Sequence, residues 1–197
     1  MTPTSTPLTE PARAILERAI EHLLVVGYTD QSLRTIATEL GTSHRMLSYH
    51  FGHADGFWLA VIDHLRETEA HRQAGFLAAS TTRLPPIEEV WTYFTSPSHL
   101  PVFQLMFEIY IKALRDRERF SAFLEQVIHG WLERLAPAMA RQHGLSPSAA
   151  RARARVELAL MRGLMLDLIT TGDRAGTTQA IRWYARHTSS HEPQETP

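Results

Sequence analysis

The segment from Ser32 to Phe51 constrains this chain more than any other. Leu33, Ile36, Ala37 and Leu40 recur at three- and four-residue steps behind Ser32, a residue suited to cap a helix, and the run stops at Gly41. Ser43 can then start another short helix carrying Met46, Leu47 and Tyr49, which ends near Phe51-Gly52. Ala37 is small enough for the two helices to cross closely, and Gly41 permits the positive φ of a tight turn. The pattern fits a helix-turn-helix, although a plain helical hairpin inside a bundle uses similar spacing. In a helix-turn-helix the N-terminus of the second helix points at DNA. His44, Arg45, Ser48 and His50 would then face outward, within reach of base edges or phosphates.

The flanking sequence is also helical. Ile15, Ala19, Leu23 and Val26 mark an amphipathic first helix, with Pro11 in its first turn and Gly27 as its stop. Asp55 opens a long fourth helix through Phe57, Trp58, Val61, Ile62 and Leu65, fading near Gly75. Beyond the Pro85-Pro86 break the spacing predicts helices from Ile87 to Thr95, about Pro101 to Arg115, about Phe120 to His143, Pro147 to Thr170, and Gly176 to His187. Pro137 should kink the third of these or end its regular part. No alternation of β-branched residues persists long enough for a strand. The expected fold is all-α with about nine helices. Residues 1–9 and 189–197 are polar and proline-bearing and read as disordered arms, 10–53 as a helix-turn-helix domain, and 54–188 as a second helical domain.

Composition narrows the function. With 197 residues, 44% of them hydrophobic, the chain can bury a substantial core. The absence of Cys removes disulfides and thiolate metal sites, and fits a reducing compartment. No run is apolar enough to cross a membrane, and MTPTSTPLTE lacks the basic and apolar regions of a secretory leader, so a cytoplasmic protein without membrane contact is expected. Net charge is −1, from 20 basic and 21 acidic residues, which at first sight disfavours a nucleic-acid binder. The charge is uneven, however: residues 1–60 carry −2 and residues 115–186 carry +5. Lys112 is the only lysine, so almost every cation is an Arg, suited to planar bidentate contacts. His50 and His53 share a helical face but lack further ligands at metal spacing, and no metal or cofactor is expected. G-x-S-x-G, H-E-x-x-H and P-loop patterns are all missing, which argues against an enzyme.

The string ILERAIEHLLVVGYTDQSLRTIATELGTSHRMLSYHF, followed by ADGFWLAVI, resembles the N-terminal DNA-binding domain of TetR-type transcriptional repressors. FEIYIKALRD, the helix around Trp131 and ALMRGLMLDLITTGDRAG resemble the C-terminal regulatory domain of one TetR subgroup, so the resemblance spans roughly residues 11–187. It implies that Arg34 contacts phosphate or a groove-edge base and that Thr42 and Ser43 donate to phosphate. His44, Arg45 and Ser48 would read the major groove, with Tyr49 and His50 on the backbone. Two positions depart from the family pattern: Ser48 stands where Tyr is frequent, and Ala54 where Lys is usual. A missing cation lowers phosphate affinity and reduces the salt slope by ~0.9.

The resemblance also implies a ligand cavity among the later helices, fitted to an apolar or aromatic effector. Large adaptable side chains there are Trp91, Phe94, Phe103, Phe107, Tyr110, Trp131, Met161 and Met165, any one of which could equally be plain core. Gln104, Glu108, Tyr110, His64 and His129 are interleaved polar groups able to orient a ligand, and Glu108 is the most notable because a buried carboxylate needs a partner. The last two helices carry apolar residues on more than one face. Ala159 and Gly163 allow close helix approach, and with Leu166, Ile181 and Tyr184 they point to a C2 homodimer. The expected function is a ligand-responsive repressor on a palindromic double-stranded operator. A sensor that has lost DNA affinity, or a small-molecule enzyme in the helical cavity, are the alternatives.

Overall fold

The computed structural model describes residues 8–27, 32–79, 84–118 and 120–188. The expected disordered arms fall mainly on residues 1–7 and 189–197, outside the described residues. Among the described residues there are nine helices and no strand: α1 (Glu10–Val26), α2 (Leu33–Glu39), α3 (His44–Phe51), α4 (Ala54–Ala79), α5 (Ile87–Phe94), α6 (Leu100–Arg115), α7 (Ser121–His143), α8 (Pro147–Thr171) and α9 (Arg174–Thr188). The fourth helix runs one turn beyond Gly75, where the apolar periodicity fades. None of these helices is long and apolar enough to cross a membrane.

Local chemistry sets the boundaries. The Ser32 hydroxyl accepts the Thr35 amide at 3.2 Å, and the Ser43 hydroxyl accepts the Met46 amide at 3.1 Å, so each short helix has an N-cap. Between them Gly41 adopts φ +61°, which lets the Thr42 amide turn back to the Ala37 carbonyl at 2.9 Å. Ser146 caps α8 in the same way, through the Ala149 amide. Asp173 precedes α9 and accepts the Gly176 amide at 2.8 Å. Pro137 does not end α7, which continues to His143. Its ring sits on the solvent side, where the carbonyl one turn earlier can bond water in place of the missing amide.

Three apolar clusters hold the helices together. The first joins α1, α2, α3 and α4 through Leu16, Leu23, Ile36, Leu47 and Phe57, and draws Val102, Leu105, Ile109 and Ala113 of α6 into the same core. Burying one such leucine contributes about 1.5–3 kcal/mol, so α6 is firmly tied to the N-terminal helices. The second cluster, around Trp91, Phe94, Phe103, Met161, Met165, Leu168 and Ile181, joins α5, α6, α8 and α9. In the third, Ala150 and Ala154 present small surfaces to Leu132, Ala136 and Met139, so α7 and α8 lie close along their length. Two polar links tie α5 to α9: the Trp91 indole donates to the Thr178 hydroxyl at 3.1 Å, and Arg174 donates to the Thr95 carbonyl at 2.9 Å.

Candidate functional site

Two regions of the fold are chemically equipped. The first is the outer surface of α3. Leu47 and Phe51 anchor this helix in the core, which turns His44, Arg45, Met46 and Tyr49 to solvent; Tyr49 is 80% exposed. Arg34 on α2 and Ser43 at the cap are exposed beside them. The Ser43 hydroxyl oxygen accepts from the helix, leaving its proton available to an outside acceptor. Three expected contact residues are less free. Ser48 is half-buried, and the Thr42 amide is engaged by Ala37. His50 is half-buried, and its Nε2 is shielded and without a partner among the described residues, so that nitrogen faces protein.

The second region is a cavity of about 500 Å³ among α4, α5, α6, α7 and α8. Its wall is mainly apolar and aromatic. Phe94 meets Phe103 edge-on at 5.1 Å and Trp131 at 5.9 Å between ring centroids, and Met161 and Met165 close the α8 side. Tyr110 lines the same space, with its ring edge-on to Phe123 at 5.1 Å. The Arg162 guanidinium lies 5.4 Å from the Tyr110 ring centroid and donates to the Val127 carbonyl at 2.8 Å. Burial pushes the Tyr110 phenol up to about 12, against the opposing pull of Arg162. Burial likewise pulls the Arg162 guanidinium down from its ordinary value, with Tyr110 acting the other way. The buried Tyr110 hydroxyl has no partner among the described residues.

A cavity of this size, walled by aromatic and Met side chains with few polar groups, suits one small organic molecule. Helix α6 gives it a neighbour to act on. Phe103, Met106, Phe107 and Tyr110 face the cavity, while Leu105 and Ile109 are buried in the core of α1–α4.

Comparison with solved structures places this arrangement. A protein from Rhodococcus sp. assigned to the TetR family of transcriptional regulators superposes with a TM-score of 0.66 at 17% identity, covering 91% of this chain and 96% of that one. The chain has the TetR fold. The multidrug-binding protein EbrR, crystallised with imidazole, superposes with a TM-score of 0.61 at 23% identity, over 90% of this chain and 96% of its own. No protein-family model matches the sequence, and no curated protein does.

Within this TetR fold, the expected ligand-site residues separate. Phe94, Phe103, Phe107, Tyr110, Trp131, Met161 and Met165 line the cavity. Trp91 does not, because it turns toward Thr178 on α9. Glu108 does not either: it lies on the opposite side of α6, with its carboxylate against Gly27 at the end of α1. Gln104 and His129 are exposed. Sequence reasoning passed over Arg162, although it sits with Leu158, Met161 and Met165 at helical spacing on the cavity side of α8.

The residues expected at a dimer contact separate as well. Ala159, Gly163 and Leu166 are exposed along one side of α8, together with Val156. Ile181 is fully buried in the second cluster and has no surface to offer another chain. Tyr184 is half-buried, and burial raises its phenol pKa, with Glu157 adding to the rise. Trp183, next to it, is 57% exposed. Arg153, near the start of α8, pairs with Glu157 at 3.0 Å.

Proposed function

We propose that this protein is a homodimeric DNA-binding transcriptional regulator, a repressor released from a palindromic operator by a small apolar or aromatic effector. On this reading residues 10–53 are the DNA-binding domain and 54–188 the effector-binding and dimerisation domain. Arg34, Ser43, His44, Arg45 and Tyr49 supply the main DNA contacts, with Thr42, Ser48 and His50 in minor roles. The protein binds its effector and does not transform it. What supports the reading most directly is that α6 serves both regions, one side in the cavity wall and the other packed on α1 and α4, the latter being the helix against which α3 is seated. On this reading a ligand that shifts α6 acts on the recognition helix through α4.

The mechanism follows from that geometry. Two copies joined through the exposed side of α8 and α9 would present their α3 helices to successive major grooves about 34–36 Å apart. An effector that fits the cavity better in one setting of α6 favours that setting, whereas equal affinity for both settings moves nothing. Resemblance of the whole chain to regulators, one of them named for multidrug binding, is consistent with this division of labour. Footprinting on the DNA upstream of the chain's own coding region, at low and moderate salt, tests the reading. A protected palindrome that weakens with salt is expected; no protection in any low-salt condition rejects it, and ligand binding without protection identifies a sensor.

A further inference from the structure

The cavity contains one charge that its apolar wall does not explain. Arg162 emerges between Met161 and Met165 on the buried side of α8, half-buried, and donates through Nη2 to a main-chain carbonyl, that of Val127. A guanidinium carries five N–H donors, and this bond uses only one. Among the described residues no carboxylate lies within ion-pair distance of it. Glu157, the cavity acid nearest in sequence, is held by Arg153 at 3.0 Å, and Glu67 and Glu133 are exposed. Arg134 is also exposed, with its guanidinium 5.4 Å from the Trp131 ring. Among the described residues this part of the cavity thus holds a cation without a countercharge, next to Tyr110, whose hydroxyl also has no partner among them. Burying such a group is costly unless something compensates it.

We propose that the cavity is built for an apolar organic acid: an aromatic or acyl carboxylate whose anion pairs with the Arg162 guanidinium and whose body lies among Phe94, Phe103, Phe107 and Trp131. The inference rests on the reading of this cavity as a ligand site and adds the chemical class. A planar carboxylate matches the fork of a guanidinium, and low polarity around the pair strengthens it. An organic cation would add a like charge beside Arg162, and a neutral arene would leave the guanidinium uncompensated.

Calorimetric titration of the full chain with three probes of one shape tests this: naphthoate, its neutral methyl ester, and naphthylmethylammonium. Naphthoate is expected to bind about tenfold or more tighter than the ester, with the ammonium weakest. Arg162→Met should abolish the preference and leave ester binding in place, while Arg162→Lys should keep part of it. Equal or better binding of the ester or the ammonium, a preference that survives in Arg162→Met, or no binding of any probe at millimolar concentration overturns the proposal. The wild-type series decides even if the variants fail to fold. Operator release in the same samples separates the two readings: naphthoate binding without effect on DNA rejects the regulator and keeps the acid site, whereas release by the ammonium alone does the reverse.

Discussion

The carboxylate of Glu108 stands over Gly27: a Cβ placed on that glycine would lie 3.3 Å from one carboxylate oxygen and 3.4 Å from the other. Gly27 ends α1 at φ +78°, and Glu108 lies on α6 one residue after Phe107, which lines the cavity. The residue expected to meet the effector instead joins α6, the helix that walls the cavity, to the end of α1.

Gly27→Ala therefore meets two penalties, a backbone conformation unfavourable to L side chains and crowding against the Glu108 carboxylate. A loss of about 1–2 kcal/mol is expected in urea unfolding. Glu108→Ala in the same chain should recover only the crowding part. Simple additivity of the two substitutions would show that the contact carries no coupling.

Gly56 tests the seat of α3, the proposed recognition helix. A Cβ there would strike the carbonyl oxygen of Phe51, at the end of α3, and backbone cannot move aside as a flexible side chain can. Gly56→Ala is expected to cost roughly 1–3 kcal/mol and to weaken DNA binding. Gly75→Ala, further along α4 and in open space, is the control: it should be neutral or stabilising by about 0.5–1 kcal/mol from helix propensity.

Arg45 is exposed on α3 and serves no core contact, so its loss should touch recognition alone. Arg45→Ala is expected to cost about 1–3 kcal/mol of operator binding, measured by fluorescence anisotropy, with unchanged melting temperature. In contrast, Ala54→Lys should restore a missing phosphate contact and steepen the salt dependence of log K by ~0.9. An unchanged slope would show that the position does not reach DNA.

The helix-turn-helix was legible because local chemistry specifies it: Ser32 and Ser43 cap, Gly41 turns, and Leu47 spaces the core, all within one segment. The candidate ligand site was less so, because residue type alone does not say which side of a helix a side chain occupies. On α6, Phe103, Met106, Phe107 and Tyr110 follow helical spacing into the cavity, while Leu105, Glu108 and Ile109 follow it onto the other side. The same rule separates Trp91 from Ile87, Val90 and Phe94 on α5. Arg162 has the helical spacing of Leu158, Met161 and Met165, but its charge sets it apart from the apolar pattern that marks a cavity wall. Ile181 looked like surplus surface because the partners that bury it, from α5 and α8, come from elsewhere in the chain.

Tyr110 offers a readout inside the cavity. Its phenol is held at about 12 against an ordinary 10.0, chiefly by burial, so it stays neutral in the folded chain while the unfolded chain ionises. A raised value contributes stability that is complete below pH 10 and is lost as pH rises toward 12. Ultraviolet titration should show Tyr110 among the late-ionising members of the five tyrosines, together with Tyr184, whose phenol is also raised; Tyr110→Phe should remove one late component and flatten the fall of stability in that window. Because the hydroxyl is buried with no partner among the described residues, the same substitution is expected to be neutral or stabilising by up to about 1 kcal/mol at pH 7. A marked destabilisation would mean the hydroxyl has a partner.

On the proposed reading two copies meet through the exposed sides of α8 and α9. Val156, Leu166 and Trp183 are 56%, 50% and 57% exposed, more apolar surface than a monomer has reason to present on adjoining helices, and Ala159 and Gly163 between the first two would let another helix approach closely. Leu166→Glu sets a carboxylate on this surface without touching the core, so helicity and cavity binding should persist while sedimentation shifts from dimer to monomer. Operator affinity should fall with it, because a lone α3 reads only half a palindrome. Ile181→Glu would instead unfold the second cluster, where that side chain is wholly buried, and circular dichroism distinguishes the two outcomes. A Leu166→Glu chain that sediments as the wild type does would place the contact between copies elsewhere.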